Sequence, residues 1–414
     1  MKRRVVITGL GTVNPLGNDV TTTWEAARNG RSGIARITLF DATNYKTQIA
    51  GEVKEFDPVA LFGRKEARRM DRVAQLGLAA AQEAIADAQL TIPEDEQERV
   101  GAILGSGLGG MWAISDGLET LLTKGPGRVS PFLVPMGLPD TVPGMISISY
   151  HLRGPNMSIA TACASSNNAI GEAFRNIERG DADVMISGGA EAGVLPLTVS
   201  GFNAMGALTT SRNDCPEIAS RPFDRERDGF VPGEGASILI LEELEHALAR
   251  GAKIYGEILG YGTSADAYHI SAPPEDGSGA VHSMRRALRD AGMEPGQIAY
   301  INAHGTSTPL NDKAETVALK AMFGEKVYDI PISSTKSMHG HLMGAGSALE
   351  AVITIKGMEA GIIPPTINYE FPDPDCDLDY VPNTARAMPF ANFMSNGFGF
   401  GGHNATIIIG KYAP

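Results

Sequence analysis

The chain has 414 residues, of which 43% are hydrophobic and 20% are charged, a composition typical of a globular protein with a substantial core. The formal net charge of −13 argues against nucleic acid as a partner, and no apolar run is long enough to predict a membrane-spanning helix. Three cysteines, an odd number with no CxxC spacing, argue against a disulfide framework and against a metal centre.

The first predicted element is a strand in the N-terminal segment MKRRVVITGLG. Basic residues followed by a short apolar run could imitate a secretory signal peptide, but Gly9, Gly11 and Gly17 interrupt that run. We therefore predict a strand rather than a leader, and a cytoplasmic protein.

Apolar, β-branched segments then alternate with amphipathic ones along the chain. The later predicted strands are VGAILGSG, ADVMISGG, ASILILEEL, KIYGEILGYG, IAYINAHG and ATIIIG, and the predicted helices include RVAQLGLAAAQEAIADA and GAVHSMRRALRDAG. Nearly continuous apolar strands are typical of sheets that are covered on both faces. The pattern predicts an α/β protein with a mostly parallel or mixed sheet system.

A charged segment, LEELEHALARGAK, is predicted as a helix that divides the chain near residue 250. Each half then opens with a strand of its own, which hints at a duplication with halves 1–250 and 251–414. Sequence similarity between the halves is too weak to demonstrate it.

Cys163 lies in IATACASS, where small residues connect a predicted strand to a helix that is recognisable from Ala169 onward. A helix N-terminus carries a partial positive charge and free N–H groups, which would acidify the thiol and could hold an oxyanion. A buried structural cysteine is the alternative from position alone. Cys215 and Cys376 lie among acidic residues and prolines, where a thiolate is disfavoured.

Two histidines occupy loop positions of the kind where α/β folds collect catalytic groups. His304 follows the predicted strand IAYINAHG, and His341 lies in SSTKSMHGHLMGAGSALE before a helix start. Either one alone could be structural, but together with a cysteine they favour nucleophilic catalysis. Lys336 could keep a histidine neutral and could pair with Glu350, although spacing alone favours a surface lysine.

The C-terminal segment SNGFGFGGHNA has a glycine at every second position beside Phe398 and Phe400. This pattern allows close approach of a backbone to a ligand and a moving aromatic gate, and a plain glycine-rich turn is the alternative.

Four motifs in order, TACASS, NAHGTSTPLND, SSTKSMHGHLMGA and GFGFGGHN, resemble the elongating β-ketoacyl-acyl carrier protein synthases, most closely the type II group. RRVVITGLG, RPFDRERDGFVPGEGA and PPTIN extend the resemblance over essentially the whole chain. It implies a thiolase-like fold of two related halves in a five-layer αβαβα arrangement with mixed sheets, and a homodimer.

The resemblance also implies an acyltransferase that elongates fatty acids by decarboxylative condensation. Cys163 would hold the acyl chain as a thioester, and His304 and His341 would stabilise the enolate formed from a malonyl group. Lys336 would organise the site electrostatically, and the N–H groups of Cys163 and Phe400 would form the oxyanion hole. No metal or redox cofactor is implied.

Further residues take supporting roles by the same resemblance. Glu350, Asp312 and Glu315 would support the catalytic groups. Thr306 and Thr308 would hold the pantetheine arm, and Phe202 and Leu108 would contact substrate. An acidic acyl carrier protein would dock on a basic surface, for which the candidates are Arg64, Lys65, Arg68, Arg69 and Arg128. The first four lie in a segment that is predicted to be helical, where residues four apart, such as Lys65 and Arg69, share a face.

The chain departs from the family pattern at several positions. His339 and Gly397 replace commoner residues beside the catalytic motifs, the residues after Cys163 in TACASSNN also differ, and Met205, Gly206 and Gly127 stand where a small residue and basic residues are usual. These changes make a specialised ketosynthase of a secondary pathway, with a dedicated carrier, the principal alternative.

Three other functions fit the sequence less well. A non-catalytic chain-length subunit would lack the nucleophile, a thiolase would need a second catalytic cysteine, and a cysteine hydrolase would pair a single histidine with Asn or Asp.

Overall fold

The computed structural model describes residues 2–414. Its strands are β1 (Val5–Val13), β2 (Ala35–Arg36), β3 (Ile49–Ala50), β4 (Val100–Gly105), β5 (Asn156–Ile159), β6 (Val184–Ala192), β7 (Glu234–Glu243), β8 (Gly256–Ala265), β9 (Ile301–Asn302), β10 (Ile332–Ser333), β11 (Ile362–Ile363), β12 (Arg386–Ala387), β13 (Asn392–Gly399) and β14 (His403–Gly410). Its helices are α1 (Val20–Arg28), α2 (Pro58–Ala67), α3 (Arg72–Asp87), α4 (Met111–Lys124), α5 (Leu133–Gly137), α6 (Thr141–Tyr150), α7 (Ser165–Arg179), α8 (Pro196–Met205), α9 (Leu244–Ala249), α10 (Ser278–Ala291), α11 (Pro309–Phe323), α12 (Lys336–His339) and α13 (Gly346–Ala360).

The main sheet is mixed and repeats one strand order twice. Its order is β10-β9-β13-β14-β8-β1-β7-β6-β4-β5. When the five strands of each half are numbered in chain order, both halves place them, from the outer edge of the sheet inward, in the order third, second, fourth, fifth, first. The sets meet only where Val6 and Ile7 of β1 pair with Glu257 and Gly256 of β8. The duplication that the sequence hinted at is therefore visible in the topology.

The helices form three layers around the two strand sets. In the middle, α7 contacts β6, β4 and β14, while α13 contacts β7, β1 and β13, so both helices touch strands of both halves. On the outer faces, α3 packs on β1, β7 and β6, and α10 packs on β8 and β14. The expected thiolase-like arrangement of five layers is confirmed, and the boundary near residue 250 stays a prediction.

The two central helices begin in the same way. A single turn of 3-10 helix, Ala162–Ala164, precedes α7, and another, Met343–Ala345, precedes α13. The first residue of each turn has a positive φ, 49° at Ala162 and 44° at Met343. Both helices span 15 residues and end at a glycine in the left-handed conformation. The two turns face each other at the centre of the molecule, since each contacts the other.

The glycines that interrupt the first apolar run have a packing role. A Cβ at Gly9 would lie 2.4 Å from the carbonyl oxygen of Ala84, and one at Gly11 would lie 2.1 Å from that of Ala80. Glycine at both positions therefore lets β1, whose nine residues are all buried, lie directly against α3.

Three sequence-based boundaries differ from the structure. The predicted dividing helix is shorter, because residues up to Glu243 continue β7 and only Leu244–Ala249 are helical. The extension keeps Glu242 in the sheet, where its carboxylate binds the side chains of Thr8, His246 and Arg250. The helix after Cys163 begins at Ser165, four residues before the predicted start, and the strand in IAYINAHG is confined to Ile301–Asn302. Among residues 2–414, no helix is long and apolar enough to cross a membrane.

Candidate active site

Cys163 is the middle residue of the 3-10 turn between β5 and α7. The Ser165 hydroxyl accepts the Thr161 N–H at 2.9 Å and donates to the Ala162 carbonyl at 2.6 Å, which fixes the turn. Gly399 lies so close that a Cβ there would be 3.0 Å from the Cys163 nitrogen. The glycine-rich C-terminal segment thus allows the close backbone approach that its sequence predicts.

The thiol of Cys163 is not acidified, contrary to the expectation from its place at a helix start. Burial raises its pKa to about 12, and the nearby Lys336 charge and the N–H groups of Phe400 and Cys163 lower it only in part. The enclosed surroundings of the sulfur outweigh the helix terminus, so the resting site holds a thiol. The same two N–H groups are those expected to hold an oxyanion.

His341 contacts the thiol of Cys163 directly. Its Nε2 lies 3.0 Å from Cys163 Sγ, and its Nδ1 accepts the backbone N–H of Met343 at 3.2 Å. Because Nδ1 accepts, the proton of the neutral ring resides on Nε2, which points at the sulfur as a donor. His341 is therefore arranged to donate a hydrogen bond to a group at the sulfur rather than to remove its proton.

His304 lies beside His341, with 5.4 Å between the ring centroids and an angle of 82° between the planes. The loop that carries it is held by Glu315, which accepts the N–H groups of His304 and Gly305, each at 2.8 Å. Asp312 supports the site from further away, accepting the Phe223 N–H at 2.8 Å. Glu315 thus fixes the loop directly, whereas Asp312 anchors the segment packed against it.

Lys336 is buried and paired with the equally buried Glu350. Burial and the positive charge of Lys336 both lower the pKa values of His304 and His341 well below the ordinary range. Both rings are consequently neutral at physiological pH. Lys336 is therefore not the surface residue that its spacing alone would favour. Its pairing with Glu350, which the resemblance implies, is present.

A cavity of about 560 Å³ connects these groups to the surface. Its walls include the expected substrate contacts Thr306, Thr308, Phe202, Leu108 and Phe400, as well as all three of Cys163, His304 and His341. The Thr306 and Thr308 hydroxyls lie 2.9 Å apart. Lys336, Glu350 and Asp312 lie behind the wall.

Cysteine and two histidines are also donors that suit zinc. The donor atoms of Cys163, His304 and His341 lie within 4.8 Å of one another. The sequence-based expectation that no metal takes part stays a prediction.

The basic candidates lie on the surface, outside the cavity. Arg64 and Lys65 belong to α2, but this helix is kinked at Gly63, where φ is 75°, and it ends at Ala67. The predicted regular spacing of Lys65 and Arg69 on one helix face is therefore wrong, although both side chains are exposed. Arg69 instead contacts Glu66 at 3.3 Å and lies 5.3 Å from the ring centre of Phe132.

Arg128 ends a short turn, Pro126–Arg128, four residues before Phe132. Arg69 therefore contacts the segment that follows Arg128 in the chain. We call Arg64, Lys65, Arg68, Arg69 and Arg128 the basic surface.

Sequence reasoning missed Glu191, a fully buried carboxylate at the end of β6. It accepts hydrogen bonds from segments on both sides of the nucleophile. The signal was present in the sequence, because an acidic residue follows directly on the apolar strand MISGGA.

A thiol and two neutral imidazoles, placed where two related halves meet, fit the class of thiol-dependent acyltransferases with a thiolase-like fold. Family models agree with this class. The model described as "Beta-ketoacyl synthase, N-terminal domain" matches residues 2–247, and the one described as "Beta-ketoacyl synthase, C-terminal domain" matches residues 255–370. The chain belongs to the β-ketoacyl synthase family.

Individual proteins and solved structures of this family are similar to the chain over its full length. The chain is 51% identical over 411 residues to 3-oxoacyl-[acyl-carrier-protein] synthase 2 of Synechocystis sp., covering 99% of both chains. A β-ketoacyl synthase from Burkholderia phymatum superposes with a TM-score of 0.92 at 38% identity, covering 100% of both chains. A type II polyketide ketosynthase solved with its acyl-carrier protein gives a TM-score of 0.89 at 36% identity, again covering 100% of both chains. The expected enzyme class, a condensing acyltransferase, is confirmed.

Proposed function

We propose that the chain catalyses the condensing step of fatty acid elongation on acyl carrier protein. The observation that carries this proposal is the position of Cys163 Sγ, 3.0 Å from Nε2 of a neutral His341 and beside a second neutral histidine. Two uncharged donors around one cavity suit an enolate oxygen. The identity of about one half with a 3-oxoacyl-[acyl-carrier-protein] synthase 2 favours this function over a specialised pathway.

The first half-reaction loads the acyl chain. A bond forms between Cys163 Sγ and the acyl carbon, the bond from that carbon to the pantetheine sulfur breaks, and the thiol proton passes to the departing sulfur. The N–H groups of Cys163 and Phe400 stabilise the oxyanion formed in between. Transfer of the thiol proton to the leaving group suits a nucleophile whose pKa burial has raised.

The second half-reaction forms the new carbon–carbon bond. The malonyl carboxylate leaves as CO2, and its bonding electrons become an enolate whose oxygen accepts hydrogen bonds from His304 and His341. The enolate carbon attacks the acyl carbon on Cys163, the bond from that carbon to Sγ breaks, and the departing thiolate takes up a proton from solvent. Thr306 and Thr308 hold the pantetheine arm, while Phe202 and Leu108 contact the acyl chain. Loss of CO2 drives the reaction, so the mechanism uses no metal or redox cofactor.

Mass spectrometry of the reconstituted reaction tests this function. The purified protein, given acyl- and malonyl-loaded fatty-acid carrier, should show the acyl mass on the Cys163 peptide and release a 3-oxoacyl carrier two carbons longer. Release of the free acid would identify a hydrolase instead. Loading only from a polyketide-type carrier would identify the specialised alternative.

The basic surface is the proposed docking site for the acidic carrier. Its five exposed side chains, Arg64, Lys65, Arg68, Arg69 and Arg128, form a local positive field on a chain whose net charge is −13. Electrostatic steering raises association rates chiefly at low salt. Gly127 and Gly206 remove two further charges that the family pattern would supply, so the remaining ones matter more.

Reversing two of these charges should raise KM for the acyl-carrier substrate. The double variant Lys65→Glu with Arg69→Glu is expected to weaken docking at low salt, to lose the salt dependence of the wild type, and to load normally from a small acyl thioester. Arg31→Glu with Lys411→Glu, an equal change at exposed sites elsewhere, is the matched control. An unchanged KM in the first variant would place the docking site on another surface.

We also propose a homodimer formed through β5, the terminal strand of the main sheet. Its free edge would pair with the same edge of a second copy across a two-fold axis. Exposed apolar side chains accompany it, including Met157 on β5 and Ile148 on the adjoining α6. Ile148→Glu with Met157→Lys should halve the mass in sedimentation analysis, whereas Leu248→Glu on α9 should leave a dimer. A monomeric wild type would exclude this assembly.

We infer that the enzyme works in the cytoplasm. Cys163, Cys215 and Cys376 are free thiols, which a reducing compartment maintains. Fractionation of cells that express the full chain tests this, and recovery from the secreted fraction would contradict it.

A further inference from the structure

Glu191 is a buried carboxylate that joins two segments of the active site. Its Oε1 accepts the Leu108 N–H at 3.1 Å and the Ser106 hydroxyl at 3.2 Å. Its Oε2 accepts the Gly107 N–H at 2.7 Å and the Gly344 N–H at 3.0 Å. One side chain therefore connects the loop after β4 with the turn that precedes α13.

The four partners favour the ionised form of this carboxylate, and its burial opposes that form. All of them donate, and a protonated carboxyl would turn one of its oxygens into a donor facing other donors. The side chain is fully buried, and this burial raises its pKa to about 7 despite those bonds. Glycine is required on both sides, since a Cβ at Gly107 or Gly344 would lie 2.9 or 2.8 Å from Oε2.

Each of the two segments that Glu191 connects carries a side chain that lines the cavity. Leu108 follows Gly107, and Met343 precedes Gly344, and both side chains line the cavity. They meet over Gly193, where a Cβ would lie 2.2 Å from the Met343 methyl and 3.2 Å from Leu108 Cδ1. The Met343 N–H is also the group that sets the tautomer of His341. Glu191 itself does not line the cavity.

We propose that Glu191 is a positioning residue that fixes Leu108 and Met343 against each other and thereby sets which acyl lengths the cavity accepts. The proposal rests on the proposed function, because acyl length matters only if an acyl chain occupies the cavity. The specific contribution is the bond to the Leu108 N–H, because Leu108 is the residue whose side chain lines the cavity on the β4 side.

The substitution Glu191→Gln should remove the bond to the Leu108 N–H and leave the bonds to Gly107 and Gly344 in place. The amide oxygen can still accept from Gly107 and Gly344, and the amide nitrogen can donate to the Ser106 oxygen, but it then faces the Leu108 N–H, whose bond is lost. Glu83→Gln is the matched control, because Glu83 is another largely buried carboxylate that accepts two backbone N–H groups, from Thr12 and Val20, away from the cavity.

Loading of butyryl and myristoyl carrier substrates onto Cys163 gives the readout. Glu191→Gln should change the ratio of the two loading rates about tenfold in favour of the longer chain, the size expected for one lost hydrogen bond to a carboxylate. Glu83→Gln should lower the melting temperature by a similar amount and leave the ratio of the two loading rates unchanged. In a Leu108→Ala background, Glu191→Gln should no longer change the ratio.

An unchanged ratio in a folded Glu191→Gln variant would overturn the proposal. If that variant does not fold, Ser106→Ala decides, because it removes the Ser106 bond to Glu191, together with the bond that the Ser106 oxygen accepts from the Gly109 N–H on the same loop. It should shift the ratio in the same direction by a smaller factor, and no shift would overturn the proposal. Failure of the proposed function looks different, since the wild type itself would then not load from an acyl carrier.

Discussion

Replacing Cys163 by serine should abolish condensation, with the rate falling to the background of the assay. The serine hydroxyl is a weaker nucleophile and would need a base, yet His341 presents its N–H rather than a lone pair to this position. Acyl transfer from a loaded carrier, followed by mass spectrometry, should show no acyl group on the variant.

Labelling tests the same assignment without a substitution. An electrophilic acyl mimic should modify Cys163 alone, since this thiol faces the cavity, whereas Cys376 is fully buried and Cys215 lies outside the cavity lining. Cys215→Ser should label and condense like the wild type. Modification chiefly at Cys215 or Cys376 would contradict the assignment.

Replacing His304 or His341 by alanine should slow malonyl decarboxylation by about 10²–10³-fold, the effect of removing one donor of about 3–4 kcal/mol from a developing oxyanion. Both rings are neutral and adjacent, so each can donate to the enolate oxygen without being charged beforehand. Release of CO2 from malonyl carrier measures this step.

The two histidines should differ in acyl loading. His341 contacts the sulfur, so His341→Ala should impair both steps, whereas His304→Ala should load acyl chains normally and lose decarboxylation. His304→Gln, which keeps an amide N–H donor, should recover part of the rate, and His282→Ala on the exposed face of α10 is the control. Normal decarboxylation by both alanine variants would show that this role is wrong.

The sequence predicted the α/β class and the residues that the site brings together, because strand periodicity and the four motifs are local features of the chain. It did not predict that Cys163 keeps its proton, since this depends on how far the folded halves exclude water from the sulfur. The kink at Gly63 was missed for a similar reason, because a glycine inside an apparently helical pattern reveals its left-handed backbone only in the folded chain.

Glu191 shows a further limit of sequence reasoning. Three of its partners lie 83 to 85 residues earlier in the chain and the fourth lies 153 residues later, so no local pattern connects them. The sequence marks the carboxylate as unusual after an apolar strand, but only the fold shows what it joins.

The matching starts of α7 and α13 show how the candidate site is divided between the two related halves. Cys163 and Gly344 occupy the same place in their respective turns, one residue after the positive φ of Ala162 or Met343. The first turn carries the thiol of Cys163, whereas the second follows His341 and carries the Gly344 N–H that donates to Glu191. The thiol and the two imidazoles thus come from different halves of the chain, and neither half alone holds all three groups.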